Sequence, residues 1–485
     1  MVLGPDDLIG QFILSQLPSN LPESWPRRSI GAWHLGTHPA LPVRQIIASD
    51  STVIGWLLGY PINAQARLVM EDIRFPVTPG IADISDQFES FLYAYGGRFA
   101  AVLLTPQASR FYLDPCGSLA AVFSSARQIV ASTASLIPYP PEDDDNHELI
   151  KAMEKPQEDS YYPFGLTPRR SVERLLPSHF LDLQTWLVIR HWPRGEIFPA
   201  KNVREVVREL ADLLKNNISA IACHYPLHLA MTAGRDSRML LACSREHIDN
   251  IILYTVSTPN AGGRLDCHLA PKIAARFGLK HVLLRYEVAD EGQIKQWEYR
   301  TGNCVHGLIM NWNPSFKGLD PRRAVLLGAA GELGRGFHWR RGDTESSSVS
   351  AADLLIKSQM PQTPQTLARA QWWLDGLPVR NALTIWGLLY NETFNGCWFG
   401  PVNYGLVSNA LYIWPLCQRR IIEIMLSLPL EYRRCHRLPE ELVEDEWPKL
   451  LSLPFNWFVG IRRYLYAVAW RARSLRGKMA ALVKF

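Results

Sequence analysis

Two short stretches carry residue types suited to a strongly anionic ligand. The first, 228-HLAMTAGRDSRMLLA-242, runs from apolar residues into Thr232-Ala233-Gly234. It brackets Asp236-Ser237 between Arg235 and Arg238, then resumes as an apolar run of helical spacing. Small residues let backbone N–H groups approach a phosphate, and a helix starting near Ser237 adds the positive end of its dipole. Asp236 repels phosphate directly but can hold a Mg²⁺ that binds it, and Arg235 and Arg238 can neutralise further charge. A plain strand-to-helix turn capped by Asp or Ser fits the same spacing, and the Gly-Lys-Ser/Thr ending of a Walker loop is absent. The second stretch, 328-GAAGELGRGFHWR-340, is also dense in small residues and offers one acid, Glu332, with Arg335 three residues on. Alone it also reads as a glycine-rich helix packed tightly on a sheet. Together, two Gly-rich loops with one acid each can converge on a single metal–phosphate group.

Both stretches need strands behind them, and the surrounding pattern supplies these. From about Val203 helical and strand spacing alternate: helix 203–222, strand 227–231, helix 237–246, strand 251–256, helix 266–278, strand 281–285 and strand 324–328. Strands separated by such helices predict a parallel sheet, whose ligands bind beyond the carboxyl ends of the strands. Before this region, the runs 53–59, 99–104, 110–114 and 120–125 are short, apolar and broken by Gly, Pro or Ser, which predicts an antiparallel sheet domain. The segment 137-IPYPPEDDDNHE-148 reads as an exposed loop, and 165–186 ends in a strand. From about Ala351 the chain is mostly helical and rich in Trp.

The whole chain bounds these readings. Its 485 residues are 47% hydrophobic, enough for two cores. The balance of 51 Lys+Arg against 46 Asp+Glu gives a net charge of only +5, so bulk charge does not argue for nucleic acid. The 8 cysteines stand singly, without zinc or C-x-x-C spacing, as expected of a reduced, intracellular protein. The sequence shows neither a signal-peptide pattern nor an apolar stretch of about 20 residues, and a cytoplasmic location is expected.

On these residues the chain resembles the asparagine synthetase superfamily. TAGRDSR (232–238) is similar to its S-G-G-x-D-S pyrophosphate loop, and GAAGELGRGF (328–337) to its second G-x-G-x-D-E loop. The stretch 251–284 follows the family's order of strand, loop, acidic residue, helix and His. The stretches 96-GGRFAAVLL-104 and 110-RFYLDPCGSLA-120 resemble core strands of its glutaminase-like domain, and 171-SVERLLPSHFLDL-183 the segment joining the two parts. The resemblance implies an α/β plus α+β chain. Residues 1–195 would form a glutaminase-like β-sandwich of the N-terminal-nucleophile type. Residues 200–485 would form a parallel-sheet synthetase domain of adenine-nucleotide α-hydrolase type, with a helical C-terminal part.

By the same resemblance the chain is an ATP-dependent, AMP-forming carbon–nitrogen ligase. A carboxylate attacks the α-phosphate of ATP, pyrophosphate leaves, and an amine captures the acyl-adenylate. Asp236 and Glu332 would be catalytic Mg²⁺ ligands. Thr232, Ala233, Gly234, Arg235, Ser237 and Gly331 would hold the pyrophosphate, and Met231 with Val256 or Ser257 would frame the adenine. Glu392 is the candidate acid that deprotonates the amine, and Lys449 or Lys478 the candidate active-site lysine. Glutamine-using members carry a Cys after the initiator Met. This chain has Val2, and its first cysteine is Cys116, so the amine is expected not to come from glutamine. Members without that cysteine close β-lactams or lasso peptides, while arginine-rich variants of the loop accompany polysaccharide or natural-product genes. The expected substrate is therefore a small-molecule, peptide or glycan carboxylate with an amine acceptor. Two other readings stay open: a nucleotide-binding scaffold that has lost catalysis, and an ATP pyrophosphatase acting in tRNA or sulfur modification.

Three features lie outside the loops. The aromatic segment 386–405, with Trp398 and Tyr404, reads as core or as the wall of a pocket for a bulky substrate. The tail 461–485 mixes arginines with aromatics, as a helix packed on the core would, or one lying on an anionic membrane. A second copy of the chain and a biosynthetic partner enzyme are the candidate protein partners.

Overall fold

The computed structural model describes residues 3–77, 80–81, 83–154, 159–407 and 409–457. Val2, Lys478 and the tail 461–485 lie outside them. The protein is mixed α/β, with two large sheets formed before residue 191, a parallel sheet after residue 226 and a helical C-terminal part. No helix among the described residues is long and apolar enough to cross a membrane.

The first sheet has six antiparallel strands, in the order Glu173–Arg174, Val122–Ser124, Ile129–Ala131, Phe12–Ser15, Trp33–Thr37 and Arg27–Ile30. The second has seven: Val188–Arg190, His179–Asp182, Ser109–Leu113, Gly96–Leu104, Val53–Ile62, Val43–Ile47 and Ile73–Arg74. It is antiparallel except where Val43–Ile47 meets Ile73–Arg74. The two pack face to face, with Phe12, Leu14 and Leu35 meeting Trp56, Leu58, Val102 and Phe111. The second sheet is buried on both sides. Leu57, Phe99, Ala101 and Tyr112 point the other way, against Ile84, Phe88 and Leu92 of the helix Ile84–Tyr93. Side chains alternate along a strand, so a strand covered on both faces must be apolar at every position. This is why 99–104 reads as an unbroken apolar run.

The third sheet holds five parallel strands, in the order His281–Leu284, Ile251–Val256, Leu227–Ala230, Ala324–Leu326 and Leu411–Ile413. The chain lays down strands outward from Leu227–Ala230 in one direction, then returns to place Ala324–Leu326 on its other side. The helix Val203–Ala222, capped by the Asn202 side chain, precedes the sheet and buries Val207, Leu210, Leu214, Ile218 and Ile221 at helical spacing. The expected helices after the first and second strands are Arg235–Cys243 and Ala261–Phe277.

The segment 137–148 is, as expected, a largely exposed loop, which runs into the helix His147–Met153, but it is anchored at three points. Ile137, Asp144 and Asn146 are buried. The Arg169 guanidinium pairs with Asp144 at 2.7 Å and donates to the carbonyls of Ala134, Ile137 and Pro138. An acidic run far along the chain from its cation looks solvated in sequence.

The helical part is driven into the N-terminal sheets by polar contacts. Between the helices Ala382–Leu389 and Gly400–Leu406 the chain forms a π-helix, Tyr390–Phe399. Asn391, Asn403 and Tyr404 donate to the carbonyls of Pro115, Ser118 and Ala120. Glu392 is fully buried, accepts both guanidinium arms of Arg190 at 2.7 and 2.8 Å, and accepts the Trp373 indole N–H at 2.7 Å. Removing one partner of such a pair strands the other charge. Glu392→Ala should therefore destabilise the protein by about 3–5 kcal/mol, read as a fall in melting temperature. The double variant Arg190→Met/Glu392→Leu should recover much of that loss, and equal loss in both would show that the ion pair is not what holds this contact.

Candidate functional site

The loops following Leu227–Ala230 and Ala324–Leu326 leave the sheet side by side, because Leu229 is in register with Leu326. These are the two strands between which the direction of winding reverses, and such a reversal opens a crevice at the carboxyl edge of a parallel sheet. The structure brings together Asp236 from the first loop and Glu332 from the second. One guanidinium joins them: Arg335 Nη2 lies 2.5 Å from Asp236 Oδ2 and also contacts Glu332 Oε1. The other oxygen of Asp236, Oδ1, is buried and has no hydrogen-bond partner among the described residues.

Glycine makes this approach possible. A Cβ on Gly331 would stand 2.8 Å from Asp236 Oδ1, and one on Gly328 would stand 3.0 Å from Asp236 Cβ. Between them Ala330 adopts φ +73°, in the left-handed region that favours glycine. The loop is fastened from beneath by the buried Arg433, which donates to the Leu333 carbonyl at 2.7 Å and lies under the Trp339 ring.

The electrostatics follow from burial. The Asp236 carboxyl is pushed up to about 7 by desolvation, with Glu332 adding to the shift and Arg335 and Arg235 opposing it. Burial also raises Glu332. Tyr390, whose ring meets Phe337 at the end of the second loop, is driven well above its ordinary range by burial, with the two carboxylates adding to the shift. Its position at the start of the π-helix carried no sequence signal.

The first loop holds itself with its own side chains. Ser237 Oγ accepts the Thr232 amide at 3.2 Å and lies 2.8 Å from Thr232 Oγ1, which accepts the Gly234 amide at 3.1 Å. The Ala233 amide donates to Asp266 Oδ1 at 2.7 Å. The amides of Thr232, Ala233 and Gly234, expected to face phosphate, are thus engaged inside the protein. The remaining candidates for an anion are those of the first turn of Arg235–Cys243.

Four expectations need correction. Arg238 is fully buried, donating to the carbonyls of Leu453 and Pro454 and lying against Phe455, so it ties down the segment 453–456 instead of meeting a ligand. Met231 is sealed in the core, with its amide donating to the Tyr254 carbonyl and its carbonyl accepting the Thr255 hydroxyl. It therefore offers no face to adenine. Glu392 is spent on Arg190 and Trp373, which removes it as an acid for an incoming amine. Lys449 is exposed in the turn Pro448–Ser452 and makes no side-chain contact with Asp236, Glu332 or Arg335. Val256 and Ser257 end the neighbouring strand, and Ser257 is pinned to Leu284 and Tyr286. Arg235 borders the crevice, 3.4 Å from Glu440. His436, whose Nδ1 is buried without a partner among the described residues, stands within electrostatic reach of Arg235 and Arg335. Only folding brings it there, since it is about 200 residues from the first loop and about 100 from the second.

Two carboxylates with one unpartnered buried oxygen suit a hard cation that keeps several waters and takes its other ligands from phosphate, as Mg²⁺ does. Among the described residues there is no group of three or more His, Cys, Asp or Glu able to hold a metal unaided. No protein-family model and no curated protein matches the chain.

An acid whose folded pKa is raised binds its proton more tightly in the folded state, so ionising it weakens the fold. Asp236→Asn should therefore raise stability at pH 8 by about 1–3 kcal/mol in metal-free buffer. The gain should fade as pH falls from about 7 towards the ordinary carboxylate range. A pH-independent difference in melting temperature between the two proteins would contradict the buried-acid account.

Proposed function

We propose that the protein is an ATP-dependent, AMP-forming ligase that adenylates a carboxylate, releases pyrophosphate and passes the acyl group to an amine. One observation carries the reading: two carboxylates, from loops after adjacent parallel strands at the reversal of winding, meet at one cation with Asp236 Oδ1 left unpartnered. Asp236 and Glu332 would hold Mg²⁺, which when bound neutralises charge on the departing pyrophosphate. The first turn of Arg235–Cys243 presents amides and a positive dipole end to the same crevice. Residues 1–195 would then be a glutaminase-like part without its chemistry, and residues 200–485 the synthetase. The one cysteine before residue 200, Cys116, is fully buried, in keeping with an amine not drawn from glutamine.

The test is product analysis. Purified protein with Mg²⁺, ATP and fractionated carboxylates should form AMP and pyrophosphate. ADP with inorganic phosphate would refute the assignment. Asp236→Asn and Glu332→Gln should each slow AMP formation by about 10²–10³. Because they act as a unit, the double variant should be little slower than the worse single one, and additive losses would dissolve the shared site.

A second reading draws on Arg335. A scaffold that had lost catalysis would satisfy its two acids with an internal cation, as this guanidinium does. The readings part on Arg335→Ala. In a ligase Arg335 exchanges its carboxylates for phosphate, so the variant should bind Mn²⁺ without nucleotide about tenfold more tightly at pH 8 and still form AMP more slowly. Mn²⁺ electron paramagnetic resonance gives the first value. Tighter Mn²⁺ binding with no AMP formed by either protein favours the scaffold.

A further inference from the structure

A second cleft, of about 470 Å³, is lined by the rings of Tyr161, Phe337, Phe394 and Trp398. Phe337 ends the loop that carries Glu332. Tyr390 stacks on Phe394 with centroids 5.2 Å apart and meets Phe337 at 5.0 Å. Phe394 continues the stack onto Trp398 at 4.9 Å. Residues 390, 394 and 398 stand four apart in the π-helix Tyr390–Phe399, so their rings follow one another along one side of it.

The polar groups on the wall say what the cleft lacks. His338 is 7% exposed, and its Nε2 has no hydrogen-bond partner among the described residues. Its ring bonds the backbone of Lys357, and burial pushes the imidazole down to about 4. The ring is then neutral near pH 7, the proton is assigned to the nitrogen facing that backbone, and Nε2 remains a buried lone pair with no donor. The cation on the wall is already satisfied. The Lys357 ammonium pairs with Asp343, donates to the His338 carbonyl at 3.2 Å and lies 4.3 Å from the centre of the Trp386 ring. Asp159 adds a carboxylate that accepts the Ile309 amide at 2.8 Å. Ring faces, a carboxylate and an unfilled acceptor together favour a positively charged N–H donor. The Trp398 indole N–H is likewise buried without a partner among the described residues.

We propose that this cleft binds a primary amine carrying a flat aromatic group, with the amino group donating to His338 Nε2 and the ring held among Phe337, Phe394 and Trp398. Its role as acyl acceptor rests on the ligase reading above, but its binding does not. The probe is tyramine, titrated by calorimetry into the full chain at pH 8 without nucleotide, beside 3-(4-hydroxyphenyl)propionate and 4-ethylphenol. Tyramine should bind, and the acid and the phenol should bind at least about tenfold more weakly. His338→Phe should weaken tyramine about tenfold, whereas His338→Gln, which keeps an acceptor, should stay within about threefold. Melting curves check each variant, and Trp398→Ala, which removes a ring but not the acceptor, supplies an independent loss if His338→Phe does not fold. Acid binding as tight as tyramine, no tyramine binding, or unchanged affinity in the folded His338 and Trp398 variants would overturn the proposal. Tyramine binding without AMP formation would sink the ligase and leave the cleft, while AMP formation with no tyramine binding would do the reverse.

Discussion

Two carboxylates facing each other in a recess cannot both be ionised unless a cation stands between them. Arg335 meets that demand in the protein at rest, and much of the local architecture exists to let it do so. Gly328 and Gly331 remove the Cβ atoms that would hold the loops apart. Ala330 takes a left-handed conformation to turn the loop toward Asp236. Arg433 fastens the loop at the Leu333 carbonyl, and Arg238 fastens the segment 453–456, whose Asn456 amide bonds the Ala233 carbonyl. Two arginines are structural so that a third can be electrostatic.

The parallel sheet was legible because its signals are local. Four of its five strands are short apolar runs set among helices, and the two loops announce themselves by small residues and a lone acid. The fifth strand, Leu411–Ile413, lies in the stretch expected to be mostly helical and was not read. That Asp236 and Glu332 meet follows from strand order, which periodicity does not encode. The order places strand Ala324–Leu326 beside Leu227–Ala230, about 100 residues away along the chain. The N-terminal sheets were legible as strands but not as a pair. Two-sided burial erases the alternation that would show which face is which, and the helix Ile84–Tyr93 that covers one face went unread.

Charged residues were the least legible. Arg238 and Arg235 look equivalent in TAGRDSR, yet one is buried on carbonyl oxygens and the other borders the crevice. Their helical positions differ by three, close to one turn, so spacing gives them nearly the same face. Only the return of residues 453–455 distinguishes them. Glu392 misled for a related reason. It lies in the aromatic stretch that borders the cleft, but its carboxylate turns to Arg190 on the far side of the π-helix, while Tyr390 and Phe394 face the loops.

The π-helix is thus what lets one segment serve three surroundings. Asn391 and Glu392 bind the N-terminal part, Tyr390 meets Phe337 of the second loop, and Phe394 and Trp398 line the cleft. Fixing Glu392 on Arg190 therefore sets the rotation of Tyr390 and Phe394, since all three belong to one continuous run of backbone. One of the contacts that hold the two parts of the chain together thus also aims the rings that line the cleft.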